Sequence, residues 1–272
     1  VIPASFDYQR AASAEEAVSM LREHGEEAKL LAGGHSLLPL MKLRLATPSV
    51  VIDVGRIREL SYVRDGGDQV SIGALTRHRD VETSELLQRE VPILAHVAGL
   101  VGDPQVRHRG TIGGSLAHGD PASDLPAVVL ALGGTLVVQG PGGRRDIPAT
   151  EFFQGFLETA LAPEEMLVEI RVPKARGGWS YQKFNRRAID WAIVGVAAVR
   201  NGTTGVALVN MGPVPLRASA VEQALAGGAS AADAAALAAE GTDPSADLNA
   251  SVEYRQHLAR VLVRRALEEA GA

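Results

Sequence analysis

The chain has 272 residues, which at roughly 100–200 residues per domain favours two domains. Hydrophobic residues make up 46% and charged residues 22%, the mix of a soluble globular protein, and a net charge of −5 argues against a general nucleic-acid surface. Cysteine is absent, which excludes disulfides, Cys-ligated zinc, cysteine nucleophiles and an all-Cys iron–sulfur cluster within the chain.

Ser13 and Glu16 have capping-box spacing, and Ala17, Met20 and Leu21 continue it as an apolar helical face to about His24. Ala28 to Ala32 reads as a strand broken by Gly33-Gly34. Ser36 to Leu45 is helical in part, with Pro39 tolerated only in an early turn. Ser49–Val54 and Gln69–Leu75 are buried strands. Thr76 to Val101 forms one or two helices interrupted near Pro92. Gly102 to Asp124 carries five glycines and few long apolar side chains; a loop this long inside a compact domain is usually functional or disordered, and the ordered patterns on either side favour functional. Asp124–Leu132 is a helix stopped by Gly133-Gly134. Thr135–Gln139 and Arg144–Ile147 form a hairpin around Gly140-Pro141-Gly142-Gly143, and Met166–Val172 is a further strand. Pro173–Gly178 is the candidate linker. Beyond it, Ser180–Phe184, Ala192–Arg200 and Gly205–Met211 read as antiparallel strands, with the turn of the last two at Asn201–Gly205. Ala-rich helix follows, including Ala224–Ala239, and its last segment starts near Ser251.

Two segments carry the chemistry: Ala32-Gly33-Gly34-His35-Ser36 and Thr111-Ile112-Gly113-Gly114-Ser115. Each pairs two glycines with a Ser and adjoins a short apolar run. Glycine lets the chain bend sharply and lets another group approach the amides. Consecutive free amides bind anions, and a hydroxyl adds a neutral donor. Two such turns could clamp the two phosphates of a dinucleotide. A single copy is more often only a turn. The G-x-G-x-x-G and G-x-x-x-x-G-K-[ST] fingerprints are absent, so classical Rossmann and P-loop readings fail.

The wording of these segments resembles a known family. AGGHSLLPLMKLRL at 32–45 is similar to the first FAD diphosphate loop of molybdenum-hydroxylase flavoproteins. GDPQVRHRGTIGGSLAHGDPASDLPAVVLAL at 102–132 is similar to the second, and DWAIVGVAA at 190–198 to a third signature. The resemblance spans nearly the whole chain and is strongest for the carbon monoxide dehydrogenase type. It implies an α+β fold. A two-part FAD-binding domain of the CO dehydrogenase flavoprotein/vanillyl-alcohol oxidase type would occupy 1–173, subdivided near 55. A small domain of antiparallel sheet and helices would occupy 178–272. The implied FAD is non-covalent: Cys attachment is impossible, and neither loop needs His35 as an attachment point.

By position, the resemblance puts Ala32, Gly33, Gly34, His35, Ser36 and Leu37, with Leu31 beside them, and Thr111, Ile112, Gly113, Gly114 and Ser115 around the diphosphate. Asp124 would accept from ribityl or ribose hydroxyls; its bland alternative is a helix-start carboxylate. Val101 and Leu167 would line the flavin or adenine pocket, or be plain core. Lys183 would be a cation near the ring, raising its potential, or a solvated strand lysine. Trp191 would pack on the isoalloxazine or lie in the core. Thr76 would touch the cofactor or cap a helix.

The implied partners are a molybdenum-containing large subunit and an iron–sulfur small subunit, which would hold the molybdenum cofactor and the 2Fe–2S clusters. The expected assembly is a dimer of heterotrimers delivering electrons to a quinone or another acceptor. Carbon monoxide is the leading substrate; N-heterocycle and aldehyde hydroxylation stay open. So do a self-sufficient FAD oxidoreductase and a scaffold without flavin. Arg107 and Arg109 could offset phosphate charge, pair with a partner or simply be solvated. The seven histidines have no metal-ligand spacing, and Ser36, Ser115 and Ser123 lack a hydrolase elbow. No apolar run approaches the roughly 18–20 residues of a membrane span, and Val-Ile-Pro-Ala-Ser has no signal layout. The expectation is a cytoplasmic protein, with docking at the inner face of a membrane through the complex left open.

Overall fold

The computed structural model describes residues 2–271; Val1 and Ala272, the outer ends of the two expected domains, lie outside the described residues. The first unit runs β1 (Asp7–Arg10), α1 (Ala14–His24), β2 (Ala28–Leu31), α2 (Leu37–Lys42) and β3 (Val50–Asp53), and its strands pair in parallel in the order β1-β3-β2. Helix α1 starts where the capping box is written. Ser13 accepts from the Glu16 amide at 3.1 Å, and the Glu16 carboxylate takes the Ala12 amide at 2.6 Å. Its buried face, Ala14, Ala17, Val18 and Leu21, joins Val50, Ile52 and Val54, and reaches Val137 and Met166 of the next sheet.

The second unit contains β4 (Val63–Asp65), β5 (Gln69–Gly73), α3 (His78–Thr83), α4 (Glu85–Glu90), α5 (Pro92–Ala98), α6 (Pro104–Arg107), α7 (Ile112–His118), α8 (Asp124–Ala131), β6 (Thr135–Gly140), β7 (Gly143–Pro148), α9 (Ala149–Phe152), β8 (Phe153–Gly155), β9 (Glu158–Thr159) and β10 (Met166–Pro173). Its main sheet is antiparallel, ordered β4-β5-β10-β6-β7. The stretch 76–101 makes three helices rather than one or two. Ser84 caps α4 by accepting from Leu87 N at 3.3 Å, and Pro92 opens α5. The expected loop 102–124 is also partly helical. Asp103 caps α6 (to Val106 N, 2.9 Å) with Pro104 behind it, and Thr111 caps α7 (to Gly114 N, 3.1 Å). Two of the five glycines that suggested a loop, Gly113 and Gly114, lie inside α7, and Gly119 is its left-handed C-cap. Gly113 is there because a Cβ would stand 2.5 Å from both the Cβ and the carbonyl oxygen of Ala74 at the end of β5.

The third unit is a meander, β11 (Trp179–Phe184), β12 (Val194–Asn201), β13 (Thr203–Val209) and β14 (Leu216–Arg217), followed by α10 (Ser219–Ala226), α11 (Ala231–Ala236) and α12 (Val252–Ala270). The β12–β13 turn is tight, with Asn201 opposite Thr203 and Gly202 at φ +79. The Ala-rich stretch 224–239 takes in the end of α10 and all of α11. Away from the turn that joins them, strands β12 (194–199) and β13 (205–209) are apolar and buried because both faces are covered, and the period of two sorts their side chains. Val194, Val196, Ala198, Val206 and Leu208 face the C-terminal helices. Ala197, Val199, Ala207 and Val209 pack into the core of the second unit, with α5 and α8. Residues 173–178 do connect the last two units, but not as a free tether. Ala175 is buried, its amide bonds to Glu90 O, and Arg176 pairs with the Glu90 carboxylate.

Candidate cofactor site

The two glycine turns meet although they are distant in sequence. A Cβ on Gly33 would stand 2.3 Å from the Arg109 carbonyl oxygen and 2.8 Å from Gly110 Cα. Only a glycine allows that approach. Gly34 has φ +82, the left-handed region, and turns the chain into α2. Beside this contact opens a cavity of about 760 Å³, within the roughly 300–1,000 Å³ of small-molecule sites.

The turns are not equivalent. The amides of Gly33, Gly34, His35 and Ser36 have no backbone acceptor among the described residues, so the first turn presents a row of donors. In the second turn the amides are already bonded: Ile112 to Thr76 O, Gly113 to Ala74 O, Gly114 to Thr111 Oγ1 and Ser115 to Thr111 O. The expectation of free amides there is corrected. What the second turn offers is the Thr111 and Ser115 hydroxyls and the low profile of Gly114.

The opposite wall is ionic. Asp124, the first residue of α8, accepts from Tyr181 Oη at 2.5 Å and from Lys183 Nζ at 2.8 Å. Tyr181 and Lys183 are two apart on β11, so they share a face and converge on one carboxylate. The Lys183 ammonium also donates to Leu100 O at 3.2 Å. Burial pushes the Asp124 carboxyl up, against the downward pull of the Lys183 charge and the hydrogen bonds from Lys183 and Tyr181. Burial likewise raises the Tyr181 hydroxyl well above its usual range, with the Asp124 charge acting the same way. Lys183 is therefore neither a solvated lysine nor a lone cation, because Asp124 compensates its charge locally.

Of the residues expected at the site, Ala32, Gly33, Gly34, His35, Ser36, Leu37, Val101, Thr111, Gly113, Gly114, Ser115, Asp124, Leu167, Lys183 and Trp191 line the cavity. Leu31, Thr76 and Ile112 do not. Ile112 is fully buried in the core. Thr76 neither faces the cavity nor caps α3: its hydroxyl donates to Tyr62 O at 2.9 Å and accepts from Tyr62 N at 3.0 Å, fastening the β4 approach to the end of β5. Trp191 is 59% exposed, so the core alternative fails. Arg107 and Arg109 are off the cavity. Arg107 pairs with Glu82 at 3.2 Å and holds Val101 O, while Arg109 contributes its carbonyl to the Gly33 contact. Sequence reasoning missed Tyr181 and His78. The i,i+2 relation of Tyr181 to Lys183 was the available signal; His78 had none.

Comparison with known proteins decides the family. Residues 4–175 match the FAD binding domain in molybdopterin dehydrogenase, and residues 179–270 match the CO dehydrogenase flavoprotein C-terminal domain. The chain belongs to the molybdopterin-dehydrogenase flavoprotein family. This flavoprotein is 44% identical to the carbon monoxide dehydrogenase medium chain of Hydrogenophaga pseudoflava, over 100% of this chain and 99% of that one. It is 38% identical to the nicotine 6-hydroxylase medium subunit of Paenarthrobacter nicotinovorans, over 97% of each. A solved structure of the Hydrogenophaga pseudoflava carbon monoxide dehydrogenase, lacking the Mo-pyranopterin moiety of its cofactor, superposes with a TM-score of 0.96 at 46% identity, covering 100% of this chain and 99% of that one. The α+β architecture and the FAD of the family are thus those of this flavoprotein. The cavity suits that cofactor: it pairs a row of free amides and hydroxyls, fit for an anion, with apolar walls at Val101 and Leu167. Among the described residues no helix is long and apolar enough to cross a membrane.

Proposed function

We propose that this flavoprotein relays electrons inside a carbon monoxide dehydrogenase. A molybdenum-containing large subunit oxidises the substrate, an iron–sulfur small subunit hands over the electrons, and a quinone or another carrier receives them. The full-length match to a carbon monoxide dehydrogenase medium chain carries this reading. The absence of cysteine supports it, since an all-Cys cluster must lie in another chain. FAD, held non-covalently, supplies the electron-carrying chemistry when bound.

The chain's own residues bind and orient it. The first-turn amides and the hydroxyls of Ser36, Thr111 and Ser115 take the diphosphate. Asp124 keeps free lone pairs beyond those given to Tyr181 and Lys183, and uses them for ribityl or ribose hydroxyls. Val101, Leu167 and the exposed Trp191 supply apolar surface to the rings. Residues 1–173 and 178–272 act as two domains that share a core. The assembly is a dimer of heterotrimers in the cytoplasm. The match to a nicotine 6-hydroxylase subunit supports a second reading, in which the complex hydroxylates an N-heterocycle.

The test is purification of the native complex. Cofactor and metal analysis should find FAD at about one per chain, with molybdenum and iron in companion subunits, and carbon monoxide should reduce the flavin. Reduction by an N-heterocycle and not by carbon monoxide favours the second reading. FAD without companion subunits overturns the relay.

A further inference from the structure

His78 is the first residue of α3, lines the cavity, and is only 4% exposed. Its Nδ1 is sealed from solvent without a partner, and among the described residues neither ring nitrogen makes a hydrogen bond. Few buried polar groups in a folded protein are left this way. The ring is also seated by design of the backbone. Its Cδ2 and Nε2 edge lies against Gly110, where a Cβ would come within 2.7 and 2.9 Å, and the His78 amide donates to Gly110 O at 3.0 Å. Gly110 is also one of the two residues that Gly33 abuts, so the imidazole stands beside the junction of the two glycine turns.

The state of the ring follows from its surroundings. Burial pushes the imidazole down to about 4, and the neighbouring His35 and Arg107 act the same way. It is neutral near pH 7, with one N–H and one lone pair. An orphaned buried N–H is rarer than an under-satisfied acceptor, so the sealed Nδ1 keeps the lone pair. The proton then sits on Nε2, and the exposure left to the ring is towards the cavity it lines. This donor lacks an acceptor in the chain, next to a first turn whose amides lack one too.

We propose that His78 is a binding residue for the cofactor, donating its Nε2–H to the diphosphate at the junction of the two turns. This rests on the assignment of the cavity as the FAD site. A charge-assisted hydrogen bond of about 1.5 kcal/mol or more corresponds to roughly tenfold or greater affinity.

The test titrates FAD and, separately, ADP into the full chain and its His78→Phe and His78→Gln variants. His78→Phe should weaken both ligands by the same roughly tenfold factor, because both carry the diphosphate, and His78→Gln, which keeps a donor, should recover much of it. In wild type, ¹⁵N-histidine NMR should find the Nε2–H tautomer at pH 7 and a shift of that nitrogen when ADP is added. Unchanged affinity in a folded His78→Phe variant, or a His78 signal indifferent to ADP, overturns the proposal; the NMR arm holds even if the variant fails to fold. A Gly34→Asp chain that still binds FAD would instead sink the site assignment itself.

Discussion

Replacing Lys183 with Met tests the ionic wall of the cavity. The Lys183 and Asp124 side chains are 9% and 7% exposed and 2.8 Å apart. Removing one member of a buried pair leaves the other uncompensated, at a cost of about 3–5 kcal/mol. For a chain of this size that is a fall of roughly 6–20 °C in Tm. The deficit should depend on pH. Burial already raises the Asp124 carboxyl above its unfolded value, and Lys183 is the largest influence pulling it down. Without Lys183 it rises further. A group whose folded pKa is raised contributes its stability at low pH and loses it as pH climbs through the folded value. The Lys183→Met deficit should therefore be smaller at pH 5 than at pH 8, and the Lys183→Met/Asp124→Asn double variant should be more stable than Lys183→Met alone at pH 8. Thermal unfolding of the full chain across that range reads both. A loss under about 1 kcal/mol, the range of exposed pairs, or a deficit flat in pH, would refute the description of a desolvated pair.

Three further outcomes follow from the geometry. Gly33→Ala places a methyl 2.3 Å from Arg109 O, so it should separate the turns and lower the flavin content of the purified chain; full flavin occupancy would show that the contact is dispensable. Tyr181→Phe removes the 2.5 Å bond to Asp124 and should cost about 1.5–3 kcal/mol, the value of a hydrogen bond to a charged group, in denaturant unfolding. Thr76→Val strands the Tyr62 amide and carbonyl and should cost about 1–3 kcal/mol while leaving FAD affinity unchanged; weakened FAD binding would restore Thr76 to the cofactor.

The strands and the glycine turns were legible because their signals are local. Apolar runs bounded by glycine mark β2, β3 and β5, and the capping box of α1 is written in four residues. The helix at 112–118 was hidden because a glycine that serves close packing, Gly113, looks like a loop residue until Ala74 is brought against it. The exposed β1 (Asp7–Arg10) carries no apolar alternation to betray it. At the site, residue types were readable and their commitments were not. Thr76 bonding Tyr62, and Lys183 paired with Asp124, depend on residues far away in the chain.

The two-sided sheet has a consequence for biosynthesis. Asp124 leaves the ribosome well before Tyr181 and Lys183, and the core around α5 and α8 stays open on one side until β12 and β13 arrive to cover it. The pocket wall is thus completed only by late-emerging chain. A nascent polypeptide ending before β11 would display an apolar surface and an unpaired carboxylate, so flavin loading belongs after translation has passed the meander, and truncated transcripts should yield chaperone clients rather than half-functional flavoproteins.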